Sequence, residues 1–165
     1  GLQLLQGCWH SGGECRAYSI EYLGCRARRA VAGIAVAVAA IGQSITKRGR
    51  NASARVMTGH DMQGFADHDW KTLARPGEVA AIYMGKKASR FIQGRLMMHG
   101  ADPATPVTVI ENASRPDQRV VATRLSQLPA TLTEAALTGP ALLLYGLAPR
   151  AAQAALDTLS EQEFA

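Results

Sequence analysis

Short β-rich runs alternate with helix-like segments along most of this chain, and no other feature of the sequence limits the fold as strongly. Strands are predicted at 55–58, 78–84, 107–110, 119–122 and 141–145. Helices are predicted at 70–74, at 86–99, from 131 to the Gly139-Pro140 break, and at 148–159. Strands that alternate with helices are typical of an α/β layer whose sheet is buried on both faces. The sequence therefore predicts an α/β fold.

Two of the predicted helices carry capping signals at their amino ends. Asp69 stands immediately before the segment that begins at Trp70, and an aspartate there accepts hydrogen bonds from first-turn amides. Thr131 stands three residues before Glu134, which is the spacing of a capping box. We therefore expect one helix to begin just after Asp69 and another to begin at Thr131.

The amino-terminal part of the chain divides in two. Residues 1–28 hold no sustained hydrophobic period and predict no regular element. The run from Ala30 to Ile41 is small and apolar, and it is shorter than the roughly 20 residues of a membrane span. Its alanines favour a closely packed helix, and its valines are also compatible with a strand. The predicted organisation is a leader at 1–40, a domain at 41–150 and a carboxyl-terminal helix or tail at 151–165.

Positive charge is concentrated near the amino end. The chain carries a formal net charge of +5. Residues 1–50 hold seven Lys and Arg against two Glu, and the remaining residues hold equal numbers of each sign. This distribution suits an anionic partner, and a solvated basic tail is the alternative. Hydrophobic residues make up 47% of the chain, which is enough for a packed core.

The sequence predicts no metal site. Cys8, Cys15 and Cys25 match neither a CxxC pair nor a zinc pattern. Since no secretory signal precedes them, reduced thiols in a cytoplasmic protein are predicted. His60 and His68 lie among several aspartates, and the alternatives there are a metal site and an ordinary solvated loop.

Residues suited to ligand binding gather where the predicted strands end. These ends read Thr58-Gly59-His60, Tyr83-Met84-Gly85, Glu111-Asn112-Ala113 and Tyr145-Gly146. Small residues there let a flat ligand lie against the backbone, and Met84 is polarizable enough to pack against a ring or a sulfur. The alternative is that the glycines only form turns and that Met84 belongs to the core. P-loop, GxSxG and HExxH motifs are absent, so no catalytic residue is assigned.

The stretches that contain these strand ends occur in the order and at the spacing of one known family. They are VMTGH (56–60), DWKTLARPGEVAAIYMG (69–85), TPVTVIENASRPDQRVV (105–121) and GPALLLYGL (139–147), with IGQSITKRGR (41–50) upstream. Over about two-thirds of its length, the chain resembles the C-terminal part of the uroporphyrinogen-III C-methyltransferases, S-adenosylmethionine enzymes of the tetrapyrrole methylase superfamily. The resemblance implies a mixed sheet flanked by helices, with the cofactor in a cleft between two α/β domains.

The resemblance also implies site residues. S-adenosylmethionine is expected to contact Met84, the backbone at Ala113 and the start of the last strand at Ala141. The family's substrate, uroporphyrinogen III, is a polycarboxylate, and arginines bind carboxylates by charge-assisted hydrogen bonds. The candidate arginines are Arg48, Arg50, Arg115 and Arg119. The implied protein is a homodimer that makes precorrin-2 for sirohaem and cobalamin synthesis, without a nucleic-acid or membrane partner.

The chain departs from the family in its amino-terminal part. The family's motifs GxGPGD and RLKGGDP are absent, and the acid and base proposed for the family lie in the domain that carries them. We therefore expect a C-terminal part, with the N-terminal domain largely missing, that is inactive by itself. The alternatives are another precorrin methylase, a non-catalytic dimerisation or binding domain, and a basic nucleic-acid-binding module.

Overall fold

The computed structural model describes residues 25–62 and 64–149, with side chains from Gly33 onward. The helices are α1 (Cys25–Ala40), α2 (Trp70–Leu73), α3 (Gly85–Met98) and α4 (Leu128–Glu134). The strands are β1 (Arg55–Thr58), β2 (Ala80–Tyr83), β3 (Pro106–Glu111), β4 (Arg119–Arg124) and β5 (Ala141–Tyr145). A short 3-10 turn at Leu125–Gln127 leads into α4.

The five strands form one mixed sheet in the order β1-β2-β5-β3-β4. β2 pairs in parallel with β1 and antiparallel with β5. β3 pairs antiparallel with both β5 and β4. Therefore β1, β2 and β3 run in one direction, and β4 and β5 run in the opposite direction. The predicted α/β class and the mixed sheet are both confirmed.

One face of the sheet is covered by α2, α3 and α4. Ile82 of β2 and Leu143 of β5 belong to a buried cluster that includes Ala88, Ile92 and Leu96 of α3. These three α3 residues recur every four positions, so they share one side of the helix and turn it toward the sheet. This spacing is typical of a helix that packs one apolar side against a sheet.

The other face is covered by α1. Ala81 of β2, Ile110 of β3 and Leu144 of β5 form a second buried cluster with Ile34 and Ala37 of α1. Because the central strands meet helices on both faces, they are apolar at nearly every position rather than at alternate positions. The sequence left both a helix and a strand possible for the run from Ala30 to Ile41. The structure shows that this run is helical to Ala40.

Most predicted elements are confirmed. β1 and β5 have their predicted bounds, and β2, β3, β4, α2 and α3 agree with prediction within two residues. Asp69 caps α2 as expected, because its Oδ1 accepts a hydrogen bond from the Thr72 amide at 3.0 Å. Ala148 and Pro149 are not helical, and the rest of the helix predicted at 148–159 lies outside the described residues.

The predicted capping box at Thr131 is wrong. α4 begins at Leu128, and no side chain caps its amino end. Leu128 is only 1% exposed, and Pro129 suits a first helical turn, where its missing N–H has no partner to lose. Burial of Leu128 and the fixed proline backbone therefore start the helix earlier, and Thr131 lies inside it with its hydroxyl 2.9 Å from that of Thr123.

In the part of the chain that the structure describes, no helix combines the length and the apolar character that a membrane span requires.

Candidate functional site

The carboxyl ends of β1, β2 and β3 meet at one edge of the sheet, together with the start of β5. Thr58 is level with Tyr83, and Tyr83 with Leu142. Beyond them, Glu111 pairs with Ala141. Three of the four predicted strand ends therefore converge on one edge.

The fourth strand end, Tyr145-Gly146, lies at the opposite edge. Tyr145 pairs with Ala80 at the start of β2 and with Val107 near the start of β3. Tyr145 therefore ends β5 as predicted, but it lies away from the other three strand ends because β5 runs antiparallel to its neighbours. We call the edge at Thr58, Tyr83 and Glu111 the site edge.

A cavity of about 210 Å³ opens at the site edge, on the face that α1 covers. Ala113, Arg115 and Ala141, three of the residues predicted to bind cofactor or substrate, line it. The other lining residues are Gly33, Tyr83, Ile110, Asn112, Pro140 and Leu142. Met84 does not line the cavity, but it directly follows Tyr83 in the chain.

Tyr83 forms the wall of this cavity next to α1. A Cβ on Gly33 would lie 2.9 Å from the Tyr83 hydroxyl, so the phenol approaches the helix backbone at a position where a larger residue would displace it. Burial raises the pKa of Tyr83, and a hydrogen bond with the Ile34 backbone opposes that rise. The phenol is therefore neutral at ordinary pH, and it connects β2 to α1 beside the cavity.

The backbone at the site edge is unusual. Met84, Asn112 and Ser114 all have left-handed backbones, with φ of 52°, 51° and 66°. This conformation costs a non-glycine residue roughly 1–2 kcal/mol, because Cβ approaches the following carbonyl. Strained backbone of this kind concentrates at ligand-binding sites. Met84 is also 57% exposed, so the core does not explain its position.

Charged side chains hold the loop at 135–140 that delivers Pro140 and Ala141 to the cavity. Glu111, only 3% exposed, accepts a hydrogen bond from the Gly139 amide. Arg119 lies 3.4 Å from the Glu111 carboxylate and donates to the Ala135 carbonyl at 2.9 Å. The Lys86 ammonium donates to the carbonyls of Leu137 and Gly139, each at 2.9 Å.

Sequence reasoning missed Glu111 and Lys86 as supports of the site. A glutamate that ends an apolar strand was a usable signal, because a carboxylate buried there needs partners. Lys86 gave no such signal, since its two carbonyl partners lie more than 50 positions later in the chain.

The other predicted arginines have different surroundings. The Arg119 guanidinium contacts Glu111 and Ala135. Arg48 and Arg50 lie at the edge opposite the cavity, beside Tyr145 and Gly146. The structure therefore brings Arg115 together with Ala113 and Ala141, and it places Arg48 and Arg50 elsewhere.

The two histidine rings contact backbone carbonyls. His68 Nε2 lies 2.8 Å from the Thr58 carbonyl oxygen, and His60 Nδ1 lies 3.3 Å from that of Met84. Across residues 25–62 and 64–149, no group of three or more His, Cys, Asp or Glu side chains is placed to hold a metal ion.

Comparison with known proteins gives a consistent result. The sequence model of the family described as Tetrapyrrole (Corrin/Porphyrin) Methylases matches residues 17–129. A siroheme synthase of Pseudoalteromonas translucida is 38% identical over 105 residues, which cover 64% of this chain and 22% of that protein. A siroheme synthase of Gluconacetobacter diazotrophicus is 41% identical over 106 residues, which cover 64% of this chain and 23% of that protein. The chain thus spans less than a quarter of these relatives.

Solved structures agree. A uroporphyrin-III C-methyltransferase from Thermus thermophilus, complexed with S-adenosylhomocysteine, superposes with a TM-score of 0.55 at 28% identity. That match covers 67% of this chain and 46% of the solved chain. A cobalt precorrin-4 methyltransferase superposes with a TM-score of 0.61 at 18% identity, covering 68% of this chain and 48% of that one. The second match shows the fold alone.

Proposed function

The chain belongs to the tetrapyrrole methylase family, and we propose that it forms the S-adenosylmethionine-binding wall of a uroporphyrinogen-III C-methyltransferase. The observation that carries this proposal is the cavity at the site edge, which Ala113 and Ala141 both line. The family resemblance implies cofactor contacts at both residues. The solved relative from Thermus thermophilus, which is complexed with S-adenosylhomocysteine, supports the same ligand class.

The residues of the cavity fit part of this cofactor. Asn112 lines the cavity, and its Oδ1 is buried without a hydrogen-bond partner in the described part of the chain. An acceptor in that state favours a ligand that brings an N–H or O–H group. The cavity of about 210 Å³ is smaller than the roughly 300–1,000 Å³ of small-molecule sites, so these residues supply one wall of the site.

S-adenosylmethionine supplies a methyl group already activated on a sulfonium, so the chain's own residues mainly bind and orient. In our proposal the backbone around Met84 and Ala113 holds the cofactor, and Ala141 closes the cavity beside it. Arg115, exposed at the rim, pairs with a carboxylate of the substrate. Positioning of this kind is a large part of catalysis when both reactants are already reactive.

We propose uroporphyrinogen III as the substrate and precorrin-2 as the product, on the route to sirohaem and cobalamin. The siroheme synthase relatives and the uroporphyrin-III C-methyltransferase support this choice. The alternative, a later precorrin methylase, is supported by the cobalt precorrin-4 methyltransferase only at the level of the fold. We further propose a cytoplasmic homodimer, as the resemblance implies.

Calorimetric titration with S-adenosylhomocysteine tests the cofactor site. Residues 1–165 should bind it, and Ala113→Leu should weaken binding at least about tenfold, because the larger side chain fills the cavity. The matched control is Ala122→Leu, the same change at an exposed position of β4. An equal loss in both variants, or no binding by the parent chain, contradicts the proposal.

We also propose that residues 1–165 transfer no methyl group when alone, since the described part of the cavity supplies a single wall. Incubation with radiolabelled S-adenosylmethionine and uroporphyrinogen III checks this directly. Labelled product from the purified chain would show that one wall is sufficient.

A further inference from the structure

A second and larger cavity, about 740 Å³, lies at the edge of the sheet opposite the site edge. Tyr145 and Gly146 line it, whereas Ala141, at the other end of the same strand, lines the first cavity. Ala141 and Tyr145 are four residue steps apart along an extended strand, which is roughly 13 Å. The second cavity is therefore a separate place on the molecule, and its volume is typical of small-molecule sites.

The rim of this cavity is basic. Lys47, Arg48, Arg50 and Arg75 line it, together with the acidic residues Glu78 and Asp102. Both acids already have partners. The carboxylate of Glu78 lies 3.6 Å from Nε of Arg55, and Asp102 accepts a hydrogen bond from the Ala104 amide at 2.8 Å. With four cations against two carboxylates, one of which also pairs with Arg55, the net charge of the rim is positive.

The amino-terminal side of the rim is held rigidly. Arg50 donates to the backbone carbonyls of Ser44 and Ile45 at 2.7 and 3.2 Å, and its Nε donates to Asn51 at 2.9 Å. This network folds the loop at 46–51, which we call the basic loop, back on itself. A Cβ on Gly77 would lie 2.8 Å from the Arg50 carbonyl oxygen, so the neighbouring turn packs directly against the loop.

The neighbouring cations on the rim are available for a ligand. Among the described residues, the side chains of Lys47 and Arg48 have no hydrogen bond or ion pair, and both are exposed. Arg75 is also exposed, and it has a Coulombic interaction with Asp69 but no ion pair within the described part of the chain. Three cations thus surround one opening, next to the fixed guanidinium of Arg50.

The floor of the cavity is largely apolar, although the carboxylates of Asp102 and Glu78 lie near enough to the Tyr145 hydroxyl to add to the rise in its pKa that burial causes. Tyr145 is only 2% exposed, and its hydroxyl is hydrogen-bonded to Thr105. Ala74, Pro106 and Ala148 complete the floor. Cations above an apolar floor suit a ligand with an apolar body and several acidic groups.

We propose that this second cavity is a binding site for a small organic polyanion, whose carboxylate or phosphate groups pair with Arg48, Arg75 and Lys47 at the rim. It gives a function to the basic loop at 46–51. None of the loop's residues lines the first cavity, at the site edge, which we call the cofactor cavity. It also gives Arg48 and Arg50 a role away from the methyl-transfer site. The proposal stands independently of the cofactor site, because the two cavities share no lining residue.

Titration of residues 1–165 with two probes tests the site. Mellitate is a flat ring with carboxylates only, and inorganic pyrophosphate carries phosphates only. Binding of either probe, weakening several-fold between about 50 and 200 mM NaCl, is expected from charge pairing at an exposed rim. The probe that binds identifies the preferred acidic group, and failure of both to bind at low salt would overturn the proposal.

A pair of charge-matched double variants locates the binding. Arg48→Gln with Arg75→Gln should weaken probe binding about tenfold or more. Lys87→Gln with Arg90→Gln removes the same charge from exposed positions of α3 and should change it less than about twofold. An equal loss in both double variants would mean that only overall charge matters, and the site would be refuted.

A cross-test separates this site from the cofactor cavity. The Arg48 and Arg75 double variant should retain S-adenosylhomocysteine binding, and Ala113→Leu should retain probe binding. Loss of probe binding in Ala113→Leu, at unchanged thermal stability, would place the polyanion in the first cavity and overturn the proposal. Absence of S-adenosylhomocysteine binding would contradict the proposed function alone.

Discussion

At the scale of single residues, the site edge is distinguished by backbone conformations that side chains disfavour. Met84 is left-handed, exposed, and stands immediately before the first turn of α3 without capping it by its side chain. Glycine would occupy this position at lower cost. A methionine there gives up stability that glycine would keep, which agrees with the cofactor role that we propose for Met84.

Met84→Gly should therefore stabilise the fold and weaken cofactor binding. Relief of the left-handed strain should raise the free energy of unfolding by about 1 kcal/mol, as measured by urea denaturation. The control is Met98→Gly, an exposed position in the last turn of α3, where glycine should instead cost about 1 kcal/mol. A loss of stability in both variants would show that the Met84 side chain is structural.

At the scale of elements, the loop at 135–140 depends on charged groups from three other parts of the fold. Lys86 comes from α3, Glu111 from the end of β3, and Arg119 from the start of β4. Each side chain forms hydrogen bonds with backbone groups of the loop. Without these bonds, the groups would lose their hydrogen bonds to water on folding and gain none in exchange. These contacts fix the loop at the point where it leads into β5, beside the cofactor cavity.

Lys86→Met should loosen this loop and weaken S-adenosylhomocysteine binding. Two charge-assisted hydrogen bonds to carbonyls are lost, so a destabilisation of about 2 kcal/mol is expected in urea denaturation. Lys87→Met, one position along the same helix and exposed, serves as control and should change stability by less than about 0.5 kcal/mol. Equal stability of the two variants would show that Lys86 does not stabilise the loop.

The elements themselves were largely predictable from sequence, because each depends on local signals. Ala88, Ile92 and Leu96 recur every four residues along α3, which is a local helical pattern, and Asp69 marked the start of α2. Where local and tertiary signals competed, the tertiary one prevailed. Burial of Leu128 started α4 three residues before the threonine that fitted a capping box.

At the scale of the whole molecule, the sheet carries a cavity at each of its two strand-end edges. The second face of the sheet depends on a single described helix, α1, whose Ile34 and Ala37 pack on β2, β3 and β5. The same helix supplies Gly33, beside which Tyr83 forms the cavity wall. Removing packing under α1 should therefore affect both stability and the cofactor cavity.

Ile34→Ala should destabilise the protein by about 2–3 kcal/mol, because it removes buried methyl groups and leaves a void under α1. Val56→Ala removes methyl groups at a position that is 56% exposed on β1, and it should cost less than about 0.5 kcal/mol. Thermal and urea denaturation of both variants measure the difference. A cost below 1 kcal/mol for Ile34→Ala would mean that α1 is not an integral layer of the fold.

Read alone, the sequence determined the α/β class, the strands, most of the helices and the family, because periodicity, caps and short motifs are local properties of the chain. The cofactor roles of Ala113 and Met84 stay predictions, which the family resemblance of the motifs at these strand ends implies. Only the tertiary structure decided that β5 lies antiparallel between β2 and β3. That antiparallel direction separates Tyr145 from the cofactor cavity, whereas Arg48 and Arg50 lie away from it because they precede the amino end of β1. Strand direction depends on pairing between segments far apart in the chain, which no local pattern encodes.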